Sequence, residues 1–247
     1  MTPPSLPKLT LYRLDSGCSL VTHILLEELR LPYTEVKLVF GANHKLAAAD
    51  GSFTHDDYTQ TIHPNGLIPA LKIEDGNNTI TILTENLAIL TYLADLVPEH
   101  ECQFAGTTPL ERATILSWLA FLSGTIHGQG YGALWRPARF IDGEKFPGGE
   151  QAVQEAGRRN LGRLYGQVER RLAEGGKSEF AVRDGQPTAV DWYLYLFWHW
   201  GKSIGIAMDE GAYPKWTRVV KAVEGREATR RVGKSEGLGL LFADVKN

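Results

Sequence analysis

Residues 9–26, LTLYRLDSGCSLVTHILL, constrain the fold more than any other stretch, because two periodicities meet there. The first residues are apolar and rich in β-formers, as in a short strand. Asp15, Ser16 and Gly17 break this pattern, and apolar residues then recur at helical spacing. The sequence therefore predicts a strand, a tight loop and a helix, with Cys18 or Ser19 at the helix N-terminus.

The position of Cys18 indicates a reactive cysteine. Backbone N–H groups converge at a helix N-terminus, and the positive end of the helix dipole lies there, so the pKa of a cysteine is lowered. Cysteine is also among the most buried residue types, which favours a core role elsewhere. Since a Gly-Cys-Ser loop that opens a helix is a poor place for a core residue, we interpret Cys18 as functional.

Composition narrows the class of protein. The chain has 247 residues, 43% of them hydrophobic, enough for one large domain or two small ones. The net charge of -3 and the lack of a basic stripe argue against nucleic acid as a partner. Two cysteines argue against a disulfide framework and for a reducing compartment. Neither a signal peptide nor a membrane-spanning run is apparent, so we expect a cytoplasmic protein with no membrane partner.

The first hundred residues alternate between strand and helix patterns. Pro69 lies inside a strand-like run, where a cis peptide would turn the chain into the strand. Asp75-Gly76 is a hairpin signal. The predicted elements after the first helix are a strand at 34–40, a loop at 41–57, a short helix at 58–62, a strand pair around the hairpin and a helix from 84 to 97. This β-α-β-(α)-β-β-α order is that of a thioredoxin-like α/β domain.

Everything beyond residue 108 has a helical character. We predict two domains, 1–98 and 108–247, joined by a polar linker. One amphipathic helix begins at Pro109 and is expected to be interrupted by glycines near residue 128. Thr188 with Asp191 forms a capping-box pattern ahead of a helix that is apolar almost all round, which indicates the buried central helix of the second domain.

Several of these segments together resemble the cytosolic glutathione transferases, most closely the cysteine-containing beta class. They occur in the order that the family has, and they span about residues 8–200. The segments are Gly17-Cys18-Ser19-Leu20 with His23-Ile24, Asn65 to Leu71, Thr84 to Ile89, Leu110-Glu111-Arg112 with Trp118-Leu119, and Thr188 to Asp191. The resemblance implies the glutathione transferase architecture: an α/β thioredoxin-like N-terminal domain followed by an all-α C-terminal domain.

The resemblance also implies site residues for glutathione. Cys18 would lie beside the glutathione sulfur, with Ser16 and Ser19 as hydroxyl donors, although both serines suit loop or cap roles equally. Ile68, held by a cis Pro69, would pair its backbone with the cysteinyl part of glutathione. Glu85 and Asn86 would bind the γ-glutamyl group, aided by helix N-terminal amides, although an acid and a cap at a helix start need no ligand.

A second set of candidates follows from the same resemblance. His127 corresponds to a histidine that approaches the thiol in the beta class, although a cation is also favoured at a helix end. Tyr131, Trp135 and Trp192 are predicted to line an apolar substrate pocket, although aromatic residues at helical spacing are more often core. Tyr12 is interpreted as a strand residue packed below the loop. No metal site is predicted.

The departures from the family pattern concern both the cofactor site and the pocket. Asn86 stands where Ser or Gly is usual, His63 where Asn is common before the proline, and Leu67 where a polar residue is frequent. Residues 41–57 and 136–149 look like insertions, from which we expect a particular substrate, such as one of specialised metabolism.

Three functions remain open at this point. The first is a homodimeric glutathione transferase that presents the thiolate to an apolar electrophile. The second is a glutathione-dependent double-bond isomerase, since Ser16-Gly17-Cys18-Ser19 is similar to the Ser-Ser-Cys-Ser motif of maleylacetoacetate isomerases except at Gly17. The third is a non-catalytic glutathione-binding module.

Overall fold

The computed structural model describes residues 6–41, 45–77, 79–97, 104–175 and 178–242. The chain forms two compact units, one of residues 1–107 together with 223–247 and the other of residues 108–222. The predicted boundary near 98–108 lies close to the first change of unit, and Cys102 lies outside the described residues. The second change, at 223, was not predicted.

The first unit is built on a five-stranded sheet. Its strands are β1 (Lys8–Leu14), β2 (Tyr33–Phe40), β3 (Leu46–Ala48), β4 (Ala70–Glu74) and β5 (Ile80–Thr84). They lie in the order β3-β2-β1-β4-β5. Strands β1 and β2 are parallel, whereas β4 runs antiparallel to both β1 and β5. With helices α1 (Ser19–Glu28), α2 (His55–Thr61) and α3 (Asn86–Asp95), this is the predicted thioredoxin-like arrangement.

Residues 41–57 contain more structure than the predicted loop. Strand β3 pairs antiparallel with the end of β2 and extends the sheet by one edge strand. Helix α2 begins at His55 because Thr54 and Asp57 cap it reciprocally, a pattern that our interpretation of the sequence missed. Tyr12 packs as predicted, with its ring centroid 5.9 Å from that of Tyr58 in the core below the loop.

The end of the chain belongs to the first unit, so the predicted helical domain of 108–247 runs too far. Helix α9 (Glu227–Ser235) packs against α1. Just before it, the guanidinium of Arg226 donates two hydrogen bonds, of 2.7 and 2.6 Å, to the carboxylate of Glu28. The partners are far apart in sequence, which is why neither periodicity nor spacing indicates this contact.

The second unit is helical. Its elements are α4 (Pro109–Ala120), a π-helical segment (Phe121–Tyr131), α5 (Gly132–Trp135), a 3₁₀ turn (Pro137–Arg139), α6 (Gly149–Glu174), α7 (Ala189–Ser203) and most of α8 (Pro214–Glu224). Helix α7 is buried along nearly its whole length, as the sequence predicts. Within the described residues, none of the helices combines the length and apolar character that a membrane crossing requires.

The glycines near residue 128 do not interrupt the helix, which corrects the prediction. The chain stays helical from Pro109 to Trp135 by widening to a π-helix over Phe121–Tyr131. Gly130 lies where α6 packs closely, since a Cβ atom there would be 2.5 Å from the side chain of Leu161. The glycine therefore serves helix packing rather than helix termination. Long π-helical turns are rare and often accompany functional residues.

Candidate functional site

Cys18 lies where the sequence predicts it, at the N-cap of α1. Its side chain is almost wholly buried, and the Sγ atom donates a hydrogen bond of 3.1 Å to the carbonyl oxygen of Ile68. The peptide bond between Ile68 and Pro69 is cis, as expected. The structure therefore brings the cysteine and the predicted cis-proline segment together.

Asn86 links a third segment, the start of α3, to Cys18. Its side-chain amide donates a hydrogen bond of 2.8 Å to the carbonyl oxygen of Cys18. Its Oδ1 accepts a hydrogen bond of 2.5 Å from the hydroxyl of Thr22. The start of α3 is thus fixed against the start of α1. Because both polar ends of the Asn86 side chain make buried contacts within the protein, the group of Asn86 best suited to a ligand is its backbone N–H.

The two predicted serine donors have different surroundings. Ser19 is fully buried, and its hydroxyl bonds to the backbone of Leu14, 3.2 Å from both the N and the O atom. The Ser19 hydroxyl thus closes the turn between β1 and α1, and its donation to glutathione stays a prediction. Ser16 has a left-handed backbone with φ of 57°, and its hydroxyl lies 3.5 Å from the carbonyl oxygen of Glu236.

Glu85 is the N-cap residue of α3 and also has a left-handed backbone, with φ of 69°. For a residue other than glycine this conformation is uncommon and typical of functional positions. His63, one of the departures from the family pattern, is buried nearby. Burial lowers the pKa of His63, and the carboxylate of Glu85 opposes that shift. A cationic ligand at Glu85 would therefore meet a histidine whose burial favours the neutral form.

A buried polar cluster behind the loop was missed by our interpretation of the sequence. The Glu236 carboxylate accepts two hydrogen bonds, one of 2.8 Å from the backbone N–H of Ser16 and one of 2.7 Å from Nδ1 of His23. Arg13 lies 3.9 Å from the same carboxylate and also pairs with Glu35. No local signal could have found Glu236, which follows α9, since the contact spans 220 residues of sequence.

The remaining candidates lie in the second unit. His127 is half-buried in the π-helical segment, 5.1 Å from the ring of Trp200. Burial, with the nearby charges of Arg136 and Arg139, lowers its pKa to about 4. His127 is therefore a neutral imidazole near pH 7, not a cation at a helix end.

The predicted pocket aromatics separate into two kinds. Tyr131 is fully buried, and its hydroxyl lies 2.5 Å from that of Tyr165. Trp192 is also fully buried, which favours the core role for both residues. Trp135 differs, because the residue is 45% exposed, while its ring centroid lies 4.4 Å from that of Tyr131 and 4.8 Å from that of Trp200. Of the three, only Trp135 presents an aromatic surface.

Comparison with known proteins agrees with this geometry. Residues 15–96 match the family model described as glutathione S-transferase, N-terminal domain. Glutathione S-transferase GstA of Escherichia coli O157:H7 is 34% identical over 127 residues, which are 51% of this chain and 56% of the E. coli protein. The matched stretch thus spans about half the length of that relative.

Solved structures resemble nearly the whole chain. A glutathione transferase homologue from Sulfitobacter with bound glutathione superposes with a TM-score of 0.75 at 25% identity, covering 94% of this chain and 99% of that one. The beta-class enzyme of Sphingomonas chungbukensis gives a TM-score of 0.71 at 26% identity, covering 93% and 100%. The chain is thus similar to glutathione transferases in the sequence of residues 15–96 and in fold.

Proposed function

We propose that the chain is a glutathione transferase that binds glutathione on the first unit and presents its thiolate to an apolar electrophile. The observation that carries this proposal is the meeting of three segments at Cys18. The Cys18 thiol donates to the carbonyl oxygen of Ile68, and the side-chain amide of Asn86, at the start of α3, donates to the carbonyl oxygen of Cys18. The residues at this point fit the chemical groups of glutathione, which carries an ammonium, carboxylates, a peptide backbone and a thiol.

The start of α3 is suited to the γ-glutamyl group. The N-terminal amides of a helix attract a carboxylate, and the acid of Glu85 would pair with the ammonium. Asn86 contributes its backbone N–H in this proposal, because its side chain fixes Cys18 and Thr22. The backbone of Ile68, next to the cis bond, would pair with the cysteinyl part of the tripeptide.

Cys18 would then lie beside the glutathione sulfur. At the N-cap of α1 the helix dipole favours negative charge, so both the Cys18 thiolate and a nearby glutathione thiolate are stabilised. Ser16 remains the hydroxyl candidate of the loop. His127 takes part in the proposed chemistry as a neutral imidazole, since its pKa is lowered to about 4.

The electrophile pocket is proposed to lie on the helical unit. The exposed face of Trp135, backed by Tyr131 and Trp200, supports a flat or apolar substrate, because aromatic rings prefer stacked or edge-to-face contacts. We also propose a homodimer in the cytoplasm, as the family resemblance implies. Light scattering at micromolar concentration should give twice the 27.4 kDa of one chain.

One observation weighs against the isomerase alternative. At Gly17, where the isomerase motif has Ser, a Cβ atom would lie 2.7 Å from the Ile68 side chain and 3.1 Å from the carbonyl oxygen of Leu14. A serine there would displace both neighbours. The resemblance to that motif is therefore weakest at the residue that touches the site.

Product mass tests the proposal. The enzyme is incubated with glutathione and a panel of unsaturated and halogenated electrophiles, and the products are analysed by mass spectrometry. We expect products heavier by one glutathione unit, less any leaving group. Products of unchanged mass would indicate an isomerase, and glutathione binding without any product would indicate a binding module; either result contradicts the proposal.

The Cys18→Ala variant distinguishes thiol exchange from conjugation. Loss of mixed-disulfide formation and thiol exchange is expected, because Cys18 is the thiol at this site. If conjugation survives in this variant while Ser16→Ala loses it, the serine activates the glutathione thiol. Retention of all these activities in Cys18→Ala would contradict the proposed site.

A further inference from the structure

Glu236 is a buried carboxylate directly behind the cysteine loop. It lies just past the end of α9, and its side chain is fully buried. One carboxylate oxygen accepts the backbone N–H of Ser16 at 2.8 Å, and the other accepts Nδ1 of His23 at 2.7 Å. A single side chain from the end of the chain thus holds the loop that precedes Cys18 and a turn of the helix that follows it.

The loop requires such an anchor. Ser16 has a φ of 57°, a left-handed conformation that is strained for a residue other than glycine. The turn is closed on its other side by the N–H of Gly17, which donates 3.0 Å to the carbonyl oxygen of Leu14. The hydrogen bond to Glu236 is charge-assisted, and such bonds are about twice as strong as neutral ones.

The surroundings make a buried carboxylate tolerable at this position. The Arg13 guanidinium lies 3.9 Å away, and His23 continues the network to the hydroxyl of Tyr33 at 2.9 Å. Buried charges persist only when they are paired and hydrogen-bonded in this way. The arrangement therefore keeps a charged acceptor at one fixed point of the loop.

We propose that Glu236 is a positioning residue, whose carboxylate holds Ser16 so that the Cys18 thiol lies at the N-terminus of α1 beside the Ile68 carbonyl. This inference rests on the proposed role of Cys18 in glutathione chemistry. Glu236 touches neither substrate nor the reacting sulfur; it acts through the backbone of Ser16. The end of the chain thereby helps to shape the site on the first unit.

Glu224 offers a matched control. It is also fully buried, and its carboxylate accepts the backbone N–H groups of Leu241 at 2.7 Å and Phe242 at 2.8 Å. Removal of either carboxylate should loosen the C-terminal residues and lower the melting temperature. Of the two, Glu236 is the one that holds Ser16, so effects on Cys18 beyond stability separate positioning from general anchoring.

The test measures the alkylation rate of Cys18 with iodoacetamide against pH, in a Cys102→Ser background so that Cys18 is the sole cysteine. The variants are Glu236→Ala, Glu236→Gln and Glu224→Ala, with Glu236→Asp, one methylene shorter, if the alanine variant does not fold. In Glu236→Ala we expect the midpoint to rise by about half a unit or more, because the thiol moves away from the positive end of the α1 dipole. Glu236→Gln keeps a neutral acceptor for Ser16 and should lie closer to the parent protein.

Two results would overturn the proposal. An unchanged midpoint in Glu236→Ala, with a melting temperature lowered as in Glu224→Ala, would mean that Glu236 only anchors the C-terminal helix. A lowered midpoint would mean that the carboxylate acts on the thiol through its charge alone. Because alkylation requires neither glutathione nor an electrophile, these results are independent of whether Cys18→Ala keeps transferase activity.

Discussion

Five helices of this protein show two kinds of helix start. Helices α2 and α4 begin with Thr54 and Thr108, each in a reciprocal box with an acid three residues later. Helix α7 begins at Thr188, whose backbone N–H donates 2.6 Å to the carboxylate of Asp191. Helices α1 and α3 begin instead at Cys18 and Glu85, and among the described residues neither helix has a side-chain cap hydrogen bond.

The difference separates structural helix starts from candidate binding sites. A capping box satisfies the first N–H groups of a helix from within the chain. Where such a cap is missing, the amides and the helix dipole remain available to an anion. Helices α1 and α3 are also joined to each other, by the hydrogen bond from Asn86 to Cys18. For these five helices, the comparison associates the capped starts with stability and supports the proposed glutathione site at the starts of α1 and α3.

The largest effect is expected at the buried structural cap. Asp191 accepts hydrogen bonds from the N–H groups of Thr188 at 2.6 Å and Ala181 at 2.7 Å. The Asp191→Ala variant would leave both donors without this acceptor, so we expect a loss of roughly 3 kcal/mol in the free energy of unfolding. Denaturant titration measures it, and glutathione affinity of the folded variant should stay unchanged. If the variant were as stable as the parent protein, the capped start of α7 would not have the structural role assigned to it.

The next effect concerns binding. The Glu85→Ala variant should weaken glutathione binding by on the order of 1.5–3 kcal/mol, the scale of a hydrogen bond to a charged group, while the fold survives. Calorimetric titration gives the affinity. Glu111→Ala, which removes the acid of the α4 box, is the matched control and should leave the affinity unchanged. Equal affinities in the parent protein and in Glu85→Ala would exclude the start of α3 as the γ-glutamyl site.

The smallest effect is expected at an exposed cap. Thr108→Ala removes the hydroxyl that accepts the N–H of Glu111 at 3.1 Å, and we expect about 1 kcal/mol of lost stability. Thermal unfolding measures the loss, alongside glutathione affinity, which should not change. If Thr108→Ala bound glutathione more weakly but unfolded at the same temperature as the parent protein, the capped start of α4 would contribute to binding and not to stability, which contradicts the comparison.

Much of the fold follows from local signals in the sequence. The strand-loop-helix of residues 9–26, the hairpin at Asp75-Gly76 and the cap at Thr188 each depend on neighbours within a few residues, so each could be predicted. The π-helical segment could not, because the glycines near residue 128 read as a break. Their actual role depends on the approach of α6, which is a tertiary contact.

The candidate site likewise has features that the local sequence predicts and features that depend on tertiary contacts. The position of Cys18 follows from the local helix start, and the cis bond at Pro69 from a proline in a strand-like run. The orientation of the Ser19 hydroxyl towards Leu14 could not be deduced, since a cap residue and a ligand donor look alike in sequence. The contact of Glu236 with Ser16 is beyond any local pattern, because its partners meet only when the C-terminal helix packs on α1.

The central claim is that Cys18, at the uncapped start of α1, lies at the glutathione site. The most direct measurement is the rate of Cys18 alkylation against pH, with and without saturating glutathione. We predict a midpoint below the ordinary thiol pKa of about 8.5, because helix N-terminal amides stabilise the thiolate, and a slower reaction when glutathione is bound. A midpoint at or above about 8.5, with a rate that glutathione does not change, would contradict the account.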